Sequence, residues 1–485
     1  MLQRHLRRLA SESLVYGMSG AISRFLSFLL VPIYTRIFSP EDYGVMSLVS
    51  TTMMLVSIFV VLALDNSAHR WYWDSDETED RKSTLASWAW CQIVVSVGFA
   101  FFVCLASNGL GQTIVGRGDA GLYFRIAALA LPLSVLGGVT TNWLRMQRRA
   151  WATVAYSLGI SLFNIVTTLL LVVVLHRGLA GVYVAQLATA LVGTAVSALL
   201  LRDWVHPRYF HRDRLQEMLR YALPLIPSAI ALWAVDLSGR YFVQYYDATS
   251  EVGLYQVASS VAAVVALLTS AFQLAWGPFA MSIHNQAHAR DVYAAALLAY
   301  AWLTCMVGTG LSLLAPEAIG LVATKDYLGA SAAVAYLAFA YIVVGLGYIA
   351  ALGPSLAMTT RPIGVAITCA GLLNVGLNLV LVPRLGKEGA ALSTLLSQAL
   401  VPVYLFYRSQ QLYHIPYRFG PVLGIFLFSF ALVFLGHGWQ PSNLVVGIAT
   451  KLALLSLFVP AVFVFRLATP AQAKAMLLST LGRRV

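Results

Sequence analysis

From about residue 13 onward the chain is a succession of apolar runs, each roughly 20 residues long, closed by short connections rich in charge, glycine and proline. At 1.5 Å per residue, a helix of about 20 apolar residues crosses a hydrocarbon layer about 30 Å thick. The runs fall at 13–37, 43–66, 84–106, 121–144, 151–175, 180–201, 221–246, 252–276, 292–315, 331–353, 362–383, 389–407, 419–437 and 443–466, which predicts about fourteen transmembrane helices. A transmembrane β-barrel would need alternating segments of about ten residues. These runs are apolar on every face, so the expected class is an all-α polytopic membrane protein.

Composition agrees with that pattern. Charged residues make up 11% of the 485 and hydrophobic residues 59%, against about 25% charged in a soluble domain. Intrinsic disorder, a secreted disulfide scaffold and a nucleic-acid binder are excluded. Cys91, Cys104, Cys305 and Cys369 lie inside apolar runs without metal or disulfide spacing and read as small core residues. The basic start MLQRHLRR precedes an apolar run longer than a signal-peptide core and without a small-residue cleavage site, so it is expected to stay in the mature chain.

The net charge of +12 reports orientation rather than a polyanionic partner. With the N-terminus in the cytoplasm, only Arg117, Arg177, Lys325, Arg384 and Lys387 fall in outer loops. Both termini are then cytoplasmic. The basic, partly aromatic connection at 202–220 is read as an amphipathic linker on the inner membrane surface. It separates an N-terminal lobe at 1–201 from a second six-span lobe at 221–407, and residues 408–485 hold the last two spans and a tail.

The two lobes resemble each other. Tyr16 opens a span leading to Glu41-Asp42-Tyr43-Gly44, and Tyr221 opens one leading to Glu251-Val252-Gly253. Met146 and Arg149 precede a span with Asn164 and a turn ending at Gly178 and Gly181; Met358 and Arg361 precede one with Asn374 and a turn ending at Gly386 and Gly389. A repeat of six spans keeps its topology, so the halves are related by an axis along the membrane normal, with a substrate path expected between them.

Ionisable groups at bilayer depth are costly and therefore mark function until snorkelling explains them. Arg24 stands near the middle of the first span and is expected to face a wet cavity. Asp236 and Arg240 are four apart on the seventh span, either as an intrahelical ion pair or as a cation or proton site beside an anion site. Arg36, Asp65, Arg125 and Lys451 lie near span ends, where snorkelling suffices. Asn374 with Asn378, and Thr394 with Gln398, occupy single faces of helices eleven and twelve; a hard-cation site and interhelical hydrogen bonding both account for them. Pro32, Pro224, Pro227 and Pro354, with Gly345, Gly347 and Gly353, interrupt spans one, seven and ten as hinges or close-packing sites. No G-x-x-x-x-G-K-[ST] loop occurs, which argues against ATP hydrolysis. His284 and His288 lack a third ligand nearby, so no metal site is expected. The acidic stretch from Asp74 to Asp80 reads as a solvated loop.

LVPIYTRIFSPEDYGVMSLVS at 30–50 and YALPLIPSAIALWAVDLSGRYFVQYYDATSEVGLYQVASS at 221–260 strongly resemble the polysaccharide-type flippases of the multidrug/oligosaccharidyl-lipid/polysaccharide exporter superfamily. That resemblance implies a MATE-like fold of two six-helix lobes plus two C-terminal helices, in the bacterial inner membrane. It also implies translocation of an undecaprenyl-diphosphate-linked oligosaccharide for O-antigen, capsule or exopolysaccharide assembly, by alternating access. The implied partners are membrane lipid, that lipid-linked oligosaccharide and glycan polymerase machinery. Arg24 matches an arginine on the first helix of related lipid II flippases, and with Arg240 forms the implied substrate-binding pair. Those relatives bind sodium with an Asp on helix seven, an Asn and an Asp on helix eleven, and helix twelve. The matching positions are Asp236, Asn374, Asn378, Ala390 through its carbonyl, and Thr394. Asn378 stands where an Asp is expected, which removes one negative charge from a site for Na⁺ or H⁺ as coupling ion. No other cofactor and no catalytic residue are implied. The rival readings are a cation-coupled multidrug exporter, against which the basic Arg24 and Arg240 argue, and a membrane oligosaccharide polymerase or ligase. The latter needs a long external loop, and none is predicted.

Overall fold

The computed structural model describes residues 28–438 and 443–465, with Ile22 and Leu26 besides. The predicted first span and Arg24 therefore lie largely outside the described residues. Twelve helical segments among those described are long and apolar enough to cross a membrane. They cover the other thirteen predicted spans, because Arg361–Leu412 takes in two of them and breaks at Gly386, whose φ of 54° and ψ of −134° are non-helical.

The chain divides into two compact units, one running to Gln256 and including Asn378–Lys387, the other holding Val257–Leu377 and the residues from Glu388 on. In the first unit, α1 is Val31–Ile37, α2 Pro40–Val61, α3 Leu64–Asp74, α4 Thr78–Leu110, α5 Ala120–Met146, α6 Ala150–Leu169 and α7 Gly178–Leu201. Next come α8 at Arg212–Ala222, α9 at Ile226–Leu237, α10 at Gly239–Tyr246 and the start of α11, Thr249–Ile283. The core of the bundle is α5, packed along both α4 and α7.

Local chemistry sets the start of α2. Ser39 caps the helix by accepting from the Asp42 N–H at 3.2 Å, Pro40 occupies the first turn, and Glu41 and Asp42 complement the positive end of the helix dipole. Its other end carries no such signal. Leu62 and Ala63 both adopt left-handed φ, 53° and 52°, and split the predicted span 43–66 into α2 and α3. Two adjacent non-glycine residues in that region are strained. The break survives because Gln92 Nε2 donates to the Val61 carbonyl at 2.8 Å, satisfying an acceptor that the interrupted helix leaves over.

The linker at 202–220 is docked, not free. Met218 and Ala222 of α8 are fully buried in a cluster with Tyr72, Trp88 and Trp143. Arg214 pairs with Asp80, and Trp71 Nε1 donates to Glu217 at 3.2 Å. Arg81 pairs with Asp76 and Lys82 with Glu79, so the acidic stretch read as a solvated loop is partly spent on ion pairs.

The second unit continues α11 and holds α12 (Ala289–Leu313), α13 (Ala315–Val322), α14 (Ser331–Ala350), α15 (Leu352–Leu356) and part of α16 (Arg361–Leu412). α17 (Phe419–Gly438), α18 (Leu444–Ser456) and α19 (Phe458–Val464) complete it. Its centre is α12, packed on α14 and α17. Lys451 is not merely snorkelling, since its ammonium pairs with Glu317. Of the four cysteines Cys305 is buried, whereas Cys369 is exposed and is no core residue.

Candidate functional site

One end of the first unit collects the polar chemistry. The beginning of α2 crosses the beginning of α11 at two glycines. A β-carbon on Gly44 would overlap the carbonyl oxygen of Thr249, and one on Gly253 would overlap that of Pro40. Only glycine permits this approach of backbone to backbone. One turn further along each helix, Ser47 Oγ donates to Gln256 Oε1 at 3.0 Å. Thr52 and Tyr241 share a hydroxyl–hydroxyl bond of 2.7 Å, and Trp233 Nε1 donates to the Thr51 carbonyl at 3.2 Å. Hydrogen bonds thus hold α2 from Ser47 to Thr52, about one and a half turns.

Arg117 closes the same end. Its Nε and Nη2 bind Asp119 in a fork at 3.0 and 2.7 Å, while Nη1 reaches Asp42 at 3.0 Å and Glu41 at 3.4 Å. Bidentate geometry makes this the strong form of an Arg–carboxylate contact. Hydrogen bonding to Arg117 holds the Asp119 carboxyl below its ordinary range, and the surrounding carboxylates raise the guanidinium of Arg117. Gln244 Nε2 and Thr249 Oγ1 both donate to the Val115 carbonyl, at 3.0 and 3.2 Å, tying the turn before Arg117 to α10 and α11. Beside them Lys387 pairs with Glu251 at 2.6 Å. The carboxylate of Asp247 faces the kink, 2.7 Å from where a β-carbon on Gly386 would stand. Partial burial, and then the Glu251 charge, raise the Asp247 carboxyl above its usual range.

The predicted site residues fall in different surroundings. Arg240 is buried, and its guanidinium is spent within the protein: Nε on Ser47 Oγ at 3.0 Å, Nη2 on Gln256 Oε1 at 2.9 Å, Nη1 on the Asp236 backbone carbonyl at 3.0 Å. Asp236 itself is exposed, so the two residues differ in burial although Arg240 bonds the Asp236 carbonyl. Ser238, between α9 and α10, keeps helical φ and ψ of −64° and −28° and its N–H still donates to the Ala234 carbonyl at 3.2 Å. Asn374 and Asn378 are both fully buried, one turn apart on α16. Thr394 Oγ1 donates to the Ala390 carbonyl at 3.0 Å, so two of the predicted cation ligands engage each other. Asp236 alone among the five carries charge; the rest offer neutral oxygens. No group of three or more His, Cys, Asp or Glu placed to hold a metal ion is found among the described residues.

Glu41 to Gly44 and Glu251 to Gly253, repeat markers in the sequence, meet in the fold, where Ser47 and Gln256, which carry no sequence signal of their own, join them. The sequence showed Arg117 only as one of five cations in the outer loops; that it faces Glu41 and Asp42 is seen in the fold.

The family described as polysaccharide biosynthesis protein matches residues 9–284, more than half of the chain. The chain belongs to that family. It is 24% identical over 309 residues to the succinoglycan biosynthesis transport protein ExoT of Rhizobium meliloti (strain 1021), a match covering 62% of this chain and 58% of that relative's length. The fold is shared with a solved lipid II flippase MurJ in an inward closed conformation, at a TM-score of 0.75 and 16% identity over 93% of this chain and 99% of that one. It is also shared with an inward-facing multidrug resistance MATE family transporter of the MOP superfamily, at a TM-score of 0.66 and 17% identity over 81% and 97%. This member of the polysaccharide biosynthesis family is therefore a multi-pass membrane protein with a MurJ- and MATE-like fold.

Proposed function

We propose that the chain is a flippase carrying an undecaprenyl-diphosphate-linked oligosaccharide from the cytoplasmic to the periplasmic leaflet of the bacterial inner membrane by alternating access. The observation that carries this reading is the reciprocal crossing of Gly44 on Thr249 and Gly253 on Pro40. A junction between corresponding parts of two repeats, sealed by hydrogen bonds and ion pairs rather than covalent structure, is the kind of contact that opens when repeats rock against each other. On the charge distribution of the loops this end faces the periplasm and both termini face the cytoplasm, so the closed crossing corresponds to a path shut from outside.

In this reading Arg24 grips the diphosphate, and Arg240 joins it when opening of the crossing frees its guanidinium from Ser47 and Gln256. An arginine binds phosphate oxygens in a fork that lysine cannot reproduce. The basic pair favours an anionic lipid-linked sugar over the cationic cargo of a drug exporter.

The test is deletion of the gene, with lipid-linked glycans assayed by leaflet. A single glycan accumulating on the cytoplasmic leaflet, cleared by the wild-type gene, partly by Arg24→Lys and not by Arg24→Ala, supports the reading. Normal clearance by Arg24→Ala removes the diphosphate role, and no accumulation removes the flippase.

A further inference from the structure

Away from the crossing, the first unit holds a cavity of about 340 Å³ between α5, α6 and α7. Its depth is set by helix length. Asn164 stands fourteen residues after Ala150, about 21 Å along α6, and Gln186 eight residues after Gly178, about 12 Å along α7. Both are well inside segments that cross the hydrocarbon layer, where an amide facing lipid is costly.

The lining is mostly apolar, with Leu133, Ile160 and Ala190, and uncharged: its polar groups come from Ser134, Thr141, Tyr156, Asn164, Gln186 and Thr189, and no carboxylate, arginine, lysine or histidine borders the cavity. Asn164 Nδ2 donates to Thr189 Oγ1 at 3.1 Å, which leaves the carboxamide oxygen available as an acceptor. Gln186 is exposed and makes no hydrogen bond to another described residue. The Tyr156 ring is oriented by a 2.9 Å bond between its hydroxyl and Ser197 Oγ. Glycines make the room, since a β-carbon on Gly137 would come within 3.1 Å of the Tyr156 hydroxyl, while one on Gly138 meets nothing within 4 Å.

We infer that this cavity is a subsite for a neutral, hydroxyl-rich group, a sugar ring of the carried glycan. The inference rests on the transport reading above and adds to it a place where the sugar is held apart from the diphosphate. A cation finds no carboxylate here, and a phosphate finds no arginine or lysine. A polyprenyl chain would leave the amides of Asn164 and Gln186 without partners at a depth where water does not supply them. Hydroxyl groups donate to and accept from both amides, and the apolar face of a sugar ring lies against an aromatic such as Tyr156. The volume is at the lower end of the 300–1,000 Å³ typical of ligand pockets, enough for a ring rather than a whole oligosaccharide.

The experiment uses the purified full chain in lipid nanodiscs and native mass spectrometry, with two probes: undecaprenyl diphosphate, and the lipid-linked glycan extracted from cells lacking the gene. Wild type is expected to hold the glycosylated lipid about tenfold more tightly than the bare one. Gly138→Leu, which fills the cavity, and Gln186→Leu, which removes the amide at nearly constant size, are expected to lose that preference. Both should keep wild-type affinity for the bare lipid and a wild-type melting temperature, and Gly138→Ala should behave as wild type. Equal affinity of the wild type for both lipids, or an undiminished preference in both leucine variants, overturns the subsite alone. A wild-type chain that binds neither lipid removes the transport reading and the subsite with it.

Discussion

Gly44 lies so close beneath the carbonyl oxygen of Thr249 that a β-carbon at position 44 would overlap it, and Gly253 stands in the same relation to Pro40. Four residues before Gly44 is Pro40, and four before Gly253 is Thr249. The two contacts therefore exchange positions that the internal repeat matches. Ser47 and Gln256, each three residues past its glycine, meet each other at 3.0 Å. A two-fold relation between the starts of α2 and α11 accounts for all three contacts at once.

Gly44→Ala and Gly253→Ala should each weaken this crossing. The methyl group meets backbone, which cannot rotate away, so the cost is that of overpacking, about 1–3 kcal/mol. Thermal unfolding in detergent checks it: both variants should melt below wild type, and a wild-type melting temperature in either would show that the helices separate without loss.

The Arg117–Asp119 fork makes stability depend on acid. The folded Asp119 carboxyl lies below its ordinary value of 3.8, so the contribution is fully present above that value and disappears as pH falls through the lower, folded value. Wild type should lose stability below pH 3.8, whereas Arg117→Gln should have lost this contribution already at neutral pH and show a flatter acid limb. Parallel acid limbs would show that the fork contributes nothing.

Asp247 is expected to act in the opposite sense. Burial raises its carboxyl above 3.8, so ionising it costs the folded state progressively as pH rises from 3.8 through the raised value. Asp247→Asn should be more stable than wild type at neutral pH, with the gain vanishing below pH 3.8. A variant less stable at neutral pH would mean that the Lys387 charge outweighs burial.

Reporter fusions should place both termini and the 202–220 linker in the cytoplasm, and the 316–330 loop in the periplasm. A periplasmic linker would invert the orientation and with it the assignment of the crossing as the outer closure.

The driving force is expected to be the membrane potential more than sodium. A diphosphate with about two negative charges gains roughly 4.6 kcal/mol per 100 mV on crossing outward, at about 2.3 per charge. A bound cation biases the two states only as far as its affinity differs between them, and Asn378 leaves the Asn374–Asn378 pair of α16 without charge. In proteoliposomes, flipping should fall when an ionophore clamps the potential at zero and change little when choline replaces sodium; the reverse pattern would restore sodium as the coupling ion.

The membrane-crossing character of the chain, and roughly where thirteen of the predicted spans lie, could be read from the sequence, because in a bilayer each backbone group must be satisfied within its own segment and a segment's length and polarity decide alone whether it can cross. The markers of the expected repeat, Glu41-Asp42-Tyr43-Gly44 and Glu251-Val252-Gly253, are likewise local turns that a sequence shows directly. What only the tertiary structure decided are distances between segments. Nothing in Leu62-Ala63 announces a helix break; it depends on Gln92, thirty residues on, taking the freed carbonyl of Val61. Nothing in the spacing of Asp236 and Arg240 tells that one is exposed and the other locked to Ser47 and Gln256. Arg117 looked like one stray cation until folding set it beside Glu41 and Asp42, 76 and 75 residues away in the chain. Hydropathy records what each helix needs from lipid, whereas partners are chosen by packing among helices that all satisfy that need equally well.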